Sequence, residues 1–257
     1  MATLLLLPFL ISAMPASAAD KTTTTKSKDE LPAFYLAETQ GKAFLVSWDA
    51  AAKKAIKAKA KPPRAVRAND RIITEKNSRA YFQFKDGGTV EVGPNSDVFV
   101  REIAVDPKSF RARFLLTYGR MKAAVKKRTG ARSTFEVEAG GVVAGVRGTT
   151  FEVEYDQDTR ETIARTFEGT LFTRSGGTER LVKEGFSLAL SGNQALTGAL
   201  GSDDLQDFAD FVSTAGDLER KKKILLKQLE KQLLKKVTDG ALQQGIEEGK
   251  KALQFGF

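Results

Sequence analysis

Neither cysteine nor histidine occurs among the 257 residues. Disulfides, thiolate nucleophiles, Cys/His zinc sites and Ser-His-Asp triads are thereby excluded. Proton transfer near neutral pH would fall to carboxylates, Lys or Tyr, without the side chain whose pKa suits it best. No cofactor or metal site is expected, and catalysis is not the reading to start from. Long apolar runs are scarce as well. The one such stretch, Leu4 to Met14, is shorter than the roughly 20 residues of a membrane-spanning helix. Acid is in deficit: 32 Asp and Glu face 41 Lys and Arg, a net charge of +9. What the chain does hold is core material, 41% apolar residues with 17 Phe, enough for one large domain with appendages.

The apolar run is followed by Pro15 and Ala16-Ser17-Ala18, the small-x-small pattern of a signal-peptidase site. Residues 1–18 are expected to be a signal peptide. The mature chain is then exported, periplasmic or at the cell surface, and soluble or peripherally attached. Residues 19–40, with their polar DKTTTTKSKDE stretch, read as a flexible leader. Residues 41–192 read as a β domain and 193–257 as a helical tail. Within the tail, Ser202 suits the N-cap of a short helix with Leu205, Phe208 and Phe211/Val212 on one face. A second, longer helix is expected from about Asp217, its face carrying Leu226, Leu229, Leu233, Val237 and Ala241 at helical spacing.

The strand signal is alternation bounded by turn residues. Ala80, Phe82 and Phe84 alternate with Tyr81, Gln83 and Lys85, and Asp86-Gly87-Gly88 turns the chain. Val90 and Val92 continue the apolar face, and Gly93-Pro94-Asn95-Ser96 turns it again before Val98-Phe99-Val100. Further short strands are expected at 110–116, 121–125, 134–137, 151–153, 163–167, 171–173 and 186–190. Such a series gives a mainly β fold, an antiparallel sandwich or jelly roll with a β-solenoid as the alternative. Ala50 to Lys61 (AAAKKAIKAKAK) is expected to be a solvated insertion prone to transient helix.

Several of these segments resemble the FecR-type domain family. Asn69-Asp70-Arg71-Ile72-Ile73-Thr74 with Asn77-Ser78-Arg79-Ala80 is similar to the family's opening "G-D-x-I-x-T … S-R-A". Phe84-Lys85-Asp86-Gly87-Gly88-Thr89-Val90 and Gly93-Pro94-Asn95-Ser96 resemble its "D-G-S … G-P-N-S" turns. Val146-Arg147-Gly148-Thr149-Thr150-Phe151-Glu152-Val153 is similar to its "V-R-G-T-x-F-x-V" signature. Phe167-Glu168-Gly169-Thr170-Leu171 and Val182-Lys183-Glu184-Gly185 resemble the closing elements. The resemblance spans residues 41–192 and implies a mainly β fold. Its namesakes relay an outer-membrane iron-uptake signal to a sigma factor through a cytoplasmic segment and a transmembrane helix. With the only apolar run at Leu4, the expectation here is a stand-alone exported module.

Two groups of residues stand out as sites. Arg147, Gly148 and Thr149 form the first: Arg147 offers a planar fork of donors for a carboxylate, and Gly148 permits a backbone other residues resist. The alternative is that Arg147 pairs with Glu152, Glu154 or Asp86 while Gly148 makes a bulge. The second group is Lys221, Lys222 and Lys223 with Leu226, Leu229 and Leu233, a basic amphipathic face suited to an anionic membrane surface or a partner helix. Basic residues also cluster at 41–67 and 111–132, where eight Lys and Arg face one acid and none, respectively. No nucleic-acid recognition module is visible. The function expected is a non-enzymatic exported module binding a protein partner or an anionic envelope component, lipid headgroups or cell-wall polymer. One alternative is a periplasmic sensory component working with a separate membrane partner. The other is a cell-wall polysaccharide hydrolase using two of Glu136, Glu138, Glu152 and Glu154, which would have to share a cleft.

Overall fold

The computed structural model describes residues 32–49, 53–85, 87–106, 109–127, 133–192, 194–224 and 227. The expected signal peptide and Leu226, Leu229 and Leu233 lie outside these residues. Seventeen strands run in chain order: β1 (Phe34–Gln40), β2 (Ala43–Asp49), β3 (Lys54–Lys59), β4 (Arg64–Ala65), β5 (Arg71–Thr74), β6 (Arg79–Phe84), β7 (Thr89–Val92), β8 (Ser96–Asp106) and β9 (Ser109–Ala124). Then come β10 (Ser133–Ala139), β11 (Val142–Val146), β12 (Thr150–Asp156), β13 (Glu161–Glu168), β14 (Thr170–Ser175), β15 (Thr178–Lys183), β16 (Phe186–Ser191) and β17 (Gln194–Ala199). Residues 202–224 form a helix, α1.

The strands make two sheets facing each other across one core, so the fold is the sandwich. One sheet has the order β4-β1-β6-β7-β9-β12-β13-β16-β17. The other has the order β3-β2-β5-β8-β9-β10-β11-β14-β15. From β10 onward the chain crosses from sheet to sheet one hairpin at a time. All pairings are antiparallel except β9 with β10, which is parallel.

β9 belongs to both sheets, where the sequence suggested two strands. Its first half pairs with β8 and β10, and its second half with β7 and β12. The crossing occurs at Gly119, whose φ is +90°. A Cβ there would lie 2.5 Å from the Asn95 carbonyl oxygen, so only glycine fits the bend.

The inward residues explain the Phe content. Phe34, Phe82, Phe84, Phe114, Phe135 and Phe151 are all at most 2% exposed. They form a connected set of rings, Phe34 to Phe84 at 4.5 Å, Phe34 to Phe114 at 5.8 Å and Phe135 to Phe151 at 5.8 Å, which ties one sheet to the other.

Besides β9 and β17, the latter a strand within the stretch assigned to the helical tail, three further elements differ from the sequence reading. β1 occupies part of the stretch assigned to the leader, and its Phe34 and Leu36 are core residues. Lys54–Lys59 is an edge strand paired to β2, not a helix-prone insertion; its lysines face solvent on both sides of the strand, and pairing to β2 satisfies its backbone. α1 runs unbroken past Asp217, where a second helix was expected, and Gly216 is tolerated within it. Its N-cap is Gly201 rather than Ser202. The Gly201 carbonyl accepts the Leu205 N–H (3.2 Å), and the Gly201 N–H donates to Asp204 Oδ2 (3.0 Å), half of a capping box.

Candidate interaction site

The two outer faces of the sandwich differ in what lies on them. The outer face of the first sheet carries a cross-strand row, Tyr81, Glu91, Lys122, Glu152 and Arg165, set by pairing of β6, β7, β9, β12 and β13. Charge alternates along it, so Lys122 sits between Glu91 and Glu152, and Arg165 follows Glu152. α1 lies over this row. Lys122, 2% exposed, donates to Asp207 Oδ2 (2.6 Å) and approaches Glu152 (3.4 Å). Arg165 holds Glu152 (2.8 Å), Glu154 (2.7 Å) and Asp204 (3.0 Å). Arg79 pairs with Glu91 and reaches Asp207 at 3.3 Å. Phe211 and Leu218 bury against Tyr81, and Phe208 stacks on Phe167 at 4.6 Å.

Electrostatics follow from this burial. The Glu152 carboxyl is pushed up by burial, against the opposing charges of Lys122, Arg120 and Arg165. Burial also acts to raise Asp207, but the hydrogen bond from Lys122 and the charges of Lys122, Arg120 and Arg79 outweigh it and hold it below its usual value. Burial raises Tyr35 and Tyr81 to about 12 each.

The outer face of the second sheet is different: among the described residues no helix lies on it. Phe172 is 56% exposed and Leu181 59% exposed. A groove of about 370 Å³ runs there, with Gly145 as floor between Glu136 and Val143 on one side and Phe172, Arg174 and Leu181 on the other. It exists because Gly145 is paired to Phe172 and Glu136 and supplies no side chain. Its volume is within the range of small-ligand and peptide sites. Apart from Glu136 the groove residues were not singled out from the sequence; the signal it holds is Gly145 inside the apolar Val142–Val146 run, since a mid-strand glycine marks close approach of another group.

The residues singled out from sequence are placed as follows. Gly148 has φ +79°, and a Cβ on it would lie 2.6 Å from Lys127 Cα. Thr149 is buried and donates to the Thr170 carbonyl (2.9 Å). Arg147 is exposed beside them; of the three partners considered for it, Glu152 and Glu154 are held by Arg165, and Asp86 lies outside the described residues. A cavity at this corner measures only about 10 Å³, room for one water. Beside it Thr134 Oγ1 is, among the described residues, the one buried side-chain polar atom without a partner.

Lys221 pairs with Glu38 (2.8 Å). Lys222 is 6% exposed and bonds Glu219 (2.7 Å) and the Phe84 carbonyl (3.4 Å), so it faces the β domain, and Lys223 is exposed. Leu205 and Val212, expected on the buried face, are 50% and 46% exposed. The basic segment of β9 is met by acids across the sheet: Arg111 with Glu102 (2.6 Å) and Arg113 with Glu136 (3.1 Å). Glu136 and Glu138 lie on the outer face of one sheet, Glu152 and Glu154 on that of the other, so these two pairs share no cleft. Other motif residues are turn chemistry. Asp70 accepts the Arg67 N–H (2.8 Å), Ser78 the Lys42 N–H (2.9 Å) and Thr74 the Ser96 N–H (3.0 Å). Among the described residues no acidic cluster could hold a metal ion, and no helix is long and apolar enough to cross a membrane.

The family profile described as FecR protein matches residues 70–171, from the start of β5 to the start of β14. No curated protein matches the chain. Two crystal structures of a candidate anti-sigma factor from Parabacteroides distasonis are similar to it. One, at 1.65 Å resolution, has 12% identity and a TM-score of 0.46, covering 54% of this chain and 64% of that one. The other, at 2.50 Å, has 12% identity and a TM-score of 0.45, covering 53% and 62%. The chain thus spans less than two thirds of their length.

Proposed function

We propose that this chain, whose residues 70–171 match the FecR protein family profile, is an exported binding module of a periplasmic signalling apparatus, without catalytic activity of its own. It docks a protein partner on the outer face of the second sheet. The observation that carries this reading is the groove over Gly145, edged by exposed Phe172 and Leu181 and by Arg174 and Glu136. Apolar anchors with a charged rim are what a protein interface offers its partner. The other outer face is engaged by α1 and its acidic residues. Attachment to an anionic surface through α1 or β9 has less support, because Lys221, Lys222, Arg111, Arg113, Arg120 and Lys122 are held by acids of the same chain. A role as a sensory component beside a separate membrane partner is the form of this reading that the FecR domain favours.

The test is Leu181→Asp, with Phe172→Ala as its milder companion, compared with the wild type in the native envelope after chemical cross-linking. Both side chains are solvent-exposed, so melting should be unchanged while the cross-linked partner is lost. Partner adducts that survive both substitutions would overturn the assignment of this face.

A further inference from the structure

The sandwich has long free edges at β3, β15 and β17, and they are not alike. β3 carries Lys54, Lys57 and Lys59, and β15 carries Glu179, Arg180 and Lys183. Charge on an edge strand discourages pairing with another chain. β17 reads Gln-Ala-Leu-Thr-Gly-Ala, with no charge and no proline, and all six residues are exposed, Leu196 at 73%. Its two faces both stand clear of the sandwich. Among the described residues only β16 pairs with it.

Which backbone groups remain free follows from the hairpin. Leu200 donates its N–H to the Gly185 carbonyl, so by alternation the even-numbered residues bond inward to β16. The N–H and C=O of Ala195, Thr197 and Ala199 then point out along the open edge. From this we infer that β17 is a homodimerisation edge, pairing antiparallel with β17 of a second copy about a two-fold axis at Thr197.

That register is self-complementary. Thr197 faces its own copy, and Ala195 faces Ala199 of the second copy, so all three donors and three acceptors on each strand are used. Leu196 lies opposite Gly198 of the second copy, on the outer face of the sheet. Gly198 is bare, and a Cβ there would meet nothing nearer than Ser187 Oγ at 3.7 Å, so the exposed leucine gains a place to lie. A Thr–Thr pair at the axis is favourable, and no like charges meet. Either charged edge paired to itself would face lysine with lysine or leave mixed charges to be desolvated. A two-fold contact of this kind closes on itself and cannot propagate.

The chain contains no cysteine, which makes the register testable. Thr197→Cys and Ala195→Cys are compared in the full chain under mild oxidation, beside sedimentation equilibrium of the wild type and of Thr197→Pro. The expectation is a wild-type dimer, a disulfide dimer from Thr197→Cys in clear excess over Ala195→Cys, and loss of the dimer in Thr197→Pro with an unchanged β spectrum. A monomeric wild type at roughly 100 μM, about a hundred times a micromolar Kd, would overturn the proposal, and would leave the edge to a strand of another protein. Equal cross-linking from both positions, or a dimer that survives Thr197→Pro, would overturn it too.

Discussion

Replacing Lys122 by Met removes a buried cation that Glu152 and Asp207 both approach, one on the sheet and one on α1. Glu152 keeps Arg165, and Asp207 keeps Arg79 and Arg120, so the loss should lie at or below the low end of the about 3–5 kcal/mol that an uncompensated buried charge costs. Urea unfolding of Lys122→Met should show that loss. Asp207 sets the pH dependence. Its pKa is lower in the folded chain, so its contribution is present above the unfolded value near ~4 and is lost as pH falls through the folded value. Glu152 has the opposite sign: its raised pKa disfavours the fold once it is ionised, and that cost fades on acidification. Asp207→Asn should therefore flatten the acid limb of stability measured between about pH 2 and 6. An unchanged limb would mean that Asp207 does not hold the helix. Gly148→Val is a different kind of change. It places a branched side chain at φ +79° against Lys127, and the melt should report a loss of about 2 kcal/mol or more.

α1 has its own small apolar cluster, Phe211, Leu218 and Tyr81 with Phe208, apart from the sandwich core. Every member of the central core lies between Phe34 and Leu190. A chain shortened after Gly201 should accordingly keep its β circular dichroism and a cooperative melt, at a lower temperature. The newly uncovered Lys122 and Glu152 would be solvated rather than stranded. Collapse of the β signal would show that the helix is part of the core.

The strands with alternating Phe and Val, such as β6 and β12, were legible because only one of their faces is buried in the apolar core. β1 was not, since Phe34 to Gln40 follows a polar leader and mixes Ala, Glu and Thr with its two core residues. β3 and β17 are edges, where no burial imposes alternation. The face of α1 was legible in part: Phe208 and Phe211 do pack on the sheet, but the helix also packs on charge, so Asp204, Asp207 and Lys222 point inward while Leu205 and Val212 point out. The groove over Gly145 depends on which side chains face each other across four strands, a register no single segment contains.

At the scale of the molecule, one face of the sandwich is closed by the chain's own helix and the other is left to a partner, while the uncharged edge at β17 serves a second copy. The groove on the open face carries both signs, Glu136 and Glu179 with Arg174 and Arg180, so docking there should depend weakly on ionic strength. A partner complex that dissociates steeply with salt would place binding on unpaired basic residues instead. The most direct measurement is site-specific photo-cross-linking in the native envelope from two exposed positions. One is Phe172 on the open face, and the other is Val212 on the outer side of α1. The account predicts a discrete partner adduct from position 172 and none from position 212. An adduct from 212 with none from 172 would contradict it.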